Sequence, residues 1–124
     1  MPSRVKAPTW LGDVEQHDYT AAVSYLSLIY PAKEAVSLAV RLRRTALVQF
    51  KAKDIFRASG LSLLGVSNSH VERDGRKIKK GVALSPLLLV RDTAGRTVII
   101  ADGYHRLCAV YQFDEDAMIP CKIA

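Results

Sequence analysis

Apolar positions along this chain follow two rhythms, and the switch between them divides it in two. Residues 1–17 are polar with two prolines and read as a loosely ordered arm. Beyond it Ala22, Leu26 and Ile29 recur at helical spacing, as do Val23 and Tyr30, which predicts a helix over 19–30 with Asp18 as its N-cap. Pro31 suits the first position of a second helix, 31–44, that buries Ala35, Leu38, Ala39 and Leu42. That helix ends on Arg41, Arg43 and Arg44, cations that favour a helix C-terminus.

From residue 46 the period shortens to two. "ALVQFKAKDI" predicts a strand with Val48, Phe50 and Ala52 on one face. Asp54 is placed to cap a short helix, "IFRAS", which Gly60 closes. Residues 61–69 fit neither period. "SHVERDGRKIKKG" predicts a basic surface helix that stops at Gly81. "PLLLVRD" has no alternation and reads as a strand buried on both faces. "TAG" turns the chain into a second strand, "RTVIIAD", and a helix from Tyr104 to Phe113, a loop "DEDAM" and a closing strand "IPCKIA" follow. The expected fold is α+β: a mixed sheet with packed helices over 46–124, preceded by a helical pair over 18–44. At 124 residues, helical pair and sheet form a single compact unit with its own core.

Composition adds three constraints. With 49% hydrophobic and 24% charged residues, wholesale disorder is excluded. A net charge of +6 leans toward anionic partners. The longest mostly apolar run, "AAVSYLSLIYPA", is far short of the ~20 residues a spanning helix needs. The first 18 residues lack a signal peptide's apolar core, so a cytoplasmic protein with no membrane partner is expected. Cys108 and Cys121 have neither CxxC nor zinc-ligand spacing and are expected to be buried, reduced and uninvolved in chemistry; no metal site is expected.

Candidate chemistry concentrates where the strand "RTVIIAD" meets the last helix. Asp102 is expected to cap that helix, and Gly103 to let the chain turn tightly. The free N–H groups and dipole of a helix start attract phosphate or carboxylate. His105 and Arg106 fall in the first turn, where a guanidinium can make bidentate contact with phosphate oxygens. Tyr104, Leu107, Cys108 and Tyr111 recur at i, i+3, i+4 and i+7, a core-facing stripe that leaves His105 and Arg106 off it. Replacing Arg106 with Ala is therefore expected to abolish ligand binding while leaving the fold intact.

The string from Leu84 to Ala124, with "ADGYHR" at its centre, resembles the ParB/sulfiredoxin superfamily, and "VQFKAKDI" and "KIKKGVALSP" resemble that family's opening strand and basic helix. The resemblance covers about residues 46–124. It implies a turn that holds phosphates through Gly103, Tyr104, His105 and Arg106. Sulfiredoxins carry a catalytic cysteine where this chain has Tyr104, which argues against their chemistry. Partition proteins carry a further helix-turn-helix domain, for which the 124 residues given leave no room. The closest local pattern is the D-G-H-H-R form of ParB-like free serine kinases, carried here by Asp102, Gly103, His105 and Arg106. Such enzymes need a carboxylate base from elsewhere, for which Glu72 and Asp54 are candidates.

The resemblance implies a domain that binds a nucleotide (ATP, ADP or CTP, with Mg2+) or a phosphorylated small molecule. Phosphotransfer or nucleotide hydrolysis would be its reaction, with Asp102 and His105 as catalytic groups. One alternative is a DNA-binding or nuclease module that grips backbone phosphates through Arg73, Arg76, Lys77, Lys79 and Lys80. Four of these (73, 76, 77 and 80) share a helical face. Another is a non-catalytic, antitoxin-like interaction protein.

Overall fold

The computed structural model describes residues 7–63 and 68–124. Among them, five α-helices surround a four-stranded mixed sheet: α1 (Gln16–Leu26), α2 (Ala32–Arg44), β1 (Val48–Lys51), α3 (Ala52–Ser59), α4 (Ser69–Lys80), β2 (Leu87–Asp92), β3 (Thr97–Asp102), α5 (Tyr104–Phe113) and β4 (Met118–Ile123). Strand order is β1-β4-β2-β3, with β2 parallel to β4 and the other two pairings antiparallel.

Why "PLLLVRD" carries no alternation is now plain. Leu87 and Leu89 pack into a core made with α3, α4 and α5, while Leu88 and Val90 face the other way, into a core made with α1 and α2. The sheet is the middle of three layers, so all four side chains, Leu87 to Val90, are buried. β1, by contrast, is a four-residue edge strand. Val48 and Phe50 stay 39% and 37% exposed, and Ala52, expected on the same strand face, belongs to α3.

Two helix starts differ from expectation for one reason: an aspartate near a helix start can lie inside the first turn instead of capping it. α1 begins at Gln16 after Glu15, so Asp18 lies within it, buried at 3% exposure. It ends at Leu26, before Ile29 and Tyr30. α3 begins at Ala52 after Lys51, so Asp54 is helical as well. Pro31 is the N-cap of α2 and not its first helical residue. Of the stretch 61–69, residues 64–67 lie outside the described residues; Asn68 caps α4, accepting hydrogen bonds from the His70 and Val71 amides at 3.0 and 3.3 Å. The described part of the arm is tied down: the Leu11 amide donates to the Leu84 carbonyl and the Leu84 amide to the Thr9 carbonyl, each at 2.8 Å, and Val14 is buried.

Candidate functional site

β3 delivers its last residue, Asp102, and α5 starts two residues later, after Gly103. Gly103 holds φ +110°, and a Cβ there would meet Leu87 Cγ at 2.7 Å and Arg106 Nη2 at 3.0 Å. Only glycine lets the chain turn there against β2. It is Gly103 that occupies the N-cap position, and no side chain caps the helix. The Asp102 carboxylate, expected to do so, instead accepts a hydrogen bond from Arg106 Nη2 at 3.0 Å. An i,i+4 guanidinium outcompetes the cap because it is charged and sits in the same dry corner. The first-turn amides of α5 are consequently left to other partners.

Arg106 is the hub of the corner. The same Nη2 reaches Asp18 on α1 at 3.4 Å, and His17 Nε2 lies 3.2 Å from the other Asp18 oxygen. Arg106 and Asp102 side chains are each 18% exposed and Asp18 is 4% exposed. Arg106 Nε is buried with no acceptor among the described residues. Burial pushes the Asp102 carboxyl up from its ordinary value of 3.8; the Asp18 carboxylate adds to the shift and Arg106 opposes it. The expectation that Arg106→Ala would leave the fold intact does not hold against this arrangement, because two buried carboxylates would lose their shared cation.

Arg106 also lines a cleft of about 230 Å³ between the start of α5 and helix α4, with Gly103, Tyr104, His105, Arg73 and Lys77. The His105 ring packs against His70, the second residue of α4, with centroids 4.8 Å apart and the rings tilted by 36°. His70 Nδ1 lies 3.2 Å from Arg73 Nη2. Burial lowers the His105 pKa from 6.5, reinforced by His70, Arg73 and Arg106 and opposed by Asp74. His105 is therefore a neutral imidazole at pH 7. Tyr104 contributes its backbone here: its hydroxyl donates to the Ser62 carbonyl and its ring packs on the core.

The basic helix divides its cations. Arg73 and Lys77 face the cleft, whereas Arg76 and Lys79 border a second groove of about 570 Å³, floored by Val71, Ile78, Ala109 and Phe113. Arg76 is paired with Glu72 at 2.6 Å, and Lys80 is exposed. Glu72 thus looks into the second groove, and Asp54 lines grooves beside α3; neither candidate base lines the cleft. The acids that do are Glu15, Asp74 and Asp102. Asp74 carried a signal in sequence, since Val71, Asp74 and Ile78 fall on one helical face. The role of Asp18 was hidden by its fitness as a cap.

Among the described residues no three His, Cys, Asp or Glu side chains are placed to hold a metal, and Asp18 and Asp102 are committed to Arg106. Both cysteines are buried and outside any disulfide, and burial raises the Cys121 thiol to about 12, which disfavours its nucleophilic thiolate. No helix among the described residues is long and apolar enough to cross a membrane. No protein-family model matches the chain, and no curated protein or solved structure matches it either.

Proposed function

We propose that this chain binds a phosphorylated small molecule, a nucleotide or another phosphate ester, at the Asp-Gly-Tyr-His-Arg turn. The observation that carries the reading is the uncapped first turn of α5 in a cleft that Arg73 and Lys77 also line. Helix-start amides and the dipole hold phosphate oxygens, and two cations supply charge. Arg106 acts on a different footing from a free phosphate ligand. Its Nη2 is fixed by the two aspartates, and its buried Nε–H is a donor without an acceptor among the described residues. Neutral His105 and Asp102 are the groups placed to move a proton at a bound ester, so phosphotransfer or hydrolysis is the chemistry this reading assigns. The order strand, helix, basic helix, hairpin, helix, strand supports taking residues 46–124 as a ParB/sulfiredoxin-like domain. A thermal-shift screen of ATP, ADP, CTP and GTP, with and without Mg2+, tests it. A nucleotide at about 100 times its Kd adds roughly 2.7 kcal/mol of apparent stability. No shift with any nucleotide would remove nucleotides from the reading.

A second reading rests on α4. Asp74 turns inward, so the exposed cations Arg73, Arg76, Lys79 and Lys80, spread over both sides of the helix, are opposed by Glu72 alone on α4. Such a surface suits the phosphate backbone of a nucleic acid, weakly and without regard to sequence. Each phosphate neutralised adds about −0.9 to the log–log salt slope on duplex DNA, so four contacts give about −3.6. A salt titration with labelled duplex checks this, and a flat response rejects it.

A further inference from the structure

Asp74 is a largely buried carboxylate on the wall of the cleft. It lies on the inward face of α4 between Val71 and Ile78 and is 5% exposed. Arg73 and Lys77, which line the same cleft, form no ion pair with it, and its carboxylate is left to the cleft. The imidazole of His105 feels its charge across the cleft. No ion pair among the described residues uses the charge, and an asparagine would fill the same volume. Its position is informative because the cleft it lines also holds the α5 amides and both cations. A negative acceptor beside a phosphate cradle repels bare phosphate and rewards a ligand that brings its own donors. At about 230 Å³ the cleft is smaller than the roughly 300 Å³ of the smallest usual ligand pockets. It has room for a phosphate and the few atoms next to it.

We propose that the ligand carries O–H or N–H donors beside its phosphate, as a sugar phosphate, the phosphoribosyl end of a nucleotide or a phosphorylated amine does, and that Asp74 accepts them. The proposal rests on the phosphate reading above. Calorimetric titration of the full chain with inorganic phosphate, ribose 5-phosphate and O-phosphoethanolamine tests it. The wild-type protein binds one of the two organic phosphates at least about tenfold more tightly than inorganic phosphate, the gain of a hydrogen bond to a charged acceptor. The ligand that gains identifies the donor as hydroxyl or ammonium. Asp74→Asn abolishes that advantage, leaves inorganic phosphate bound at least as well, and unfolds at no lower temperature than the wild type. Equal wild-type affinity for all three probes overturns the proposal while leaving the phosphate reading standing, and needs no variant to fold. An advantage that survives Asp74→Asn, or a variant that melts earlier, also overturns it. Binding of none of the three overturns both.

Discussion

Arg106 illustrates how a residue legible in sequence can have a role that is not. Its place in the first turn of α5 follows from the Asp-Gly signal alone, but its grip on Asp18, 88 residues away, follows only from the fold. Arg106→Ala leaves Asp18 and Asp102 unpaired in a dry corner, and the variant should lose about 3 kcal/mol in denaturant unfolding. A change within about 0.5 kcal/mol would mean that the carboxylates do not depend on it. His105 gives a pH prediction whose sign follows from its lowered pKa. The folded protein holds this imidazole neutral below the pH at which the unfolded chain protonates it. Its contribution is fully present above pH 6.5 and is lost as pH falls through the folded pKa. The His105 imidazole should titrate below 6.5 by NMR, and His105→Asn should flatten the fall in stability on the acid side. A midpoint at or above 6.5 would contradict the buried, cation-flanked setting.

At the scale of elements, the hydrophobic rhythm indicates which segments are helix and which are strand, because burial in a three-layer fold imposes those periods directly. It does not indicate where the helices begin. Asp18, Asp54 and Asp102 all read as caps, yet two lie inside helices and the third binds Arg106, since propensity cannot tell a cap from a first-turn acid. Helix α4 was expected to present one basic face, but its cations lie on either side of a ridge. Reversing Arg73 and Lys77 to Glu should abolish binding of a phosphate ligand in the cleft. Reversing Arg76 and Lys79 should leave that binding intact while weakening duplex DNA, as read by calorimetry and a salt titration. Equal loss of phosphate binding in both double variants would contradict the division.

For the molecule as a whole, the helical pair is a structural layer of the core as well as an extension. Leu88, Val90 and Ala101 pack against α1 and α2, and Asp18 links that layer to the candidate site. Residues 46–124 expressed alone should therefore fail to give dispersed amide resonances and should aggregate, because one sheet face would be left bare. A well-dispersed spectrum would show that the pair is dispensable. None of this depends on which phosphate compound the cleft takes. The most direct test of the central claim is a 15N–1H titration of the full chain with inorganic phosphate, ribose 5-phosphate and ADP. The account predicts that the largest and earliest shifts fall on the amides of Gly103, Tyr104, His105 and Arg106, with Arg73 and Lys77 following. Saturating ligand that moves only the groove between α4 and α5, or no amide of the Gly103–Arg106 turn, would contradict it.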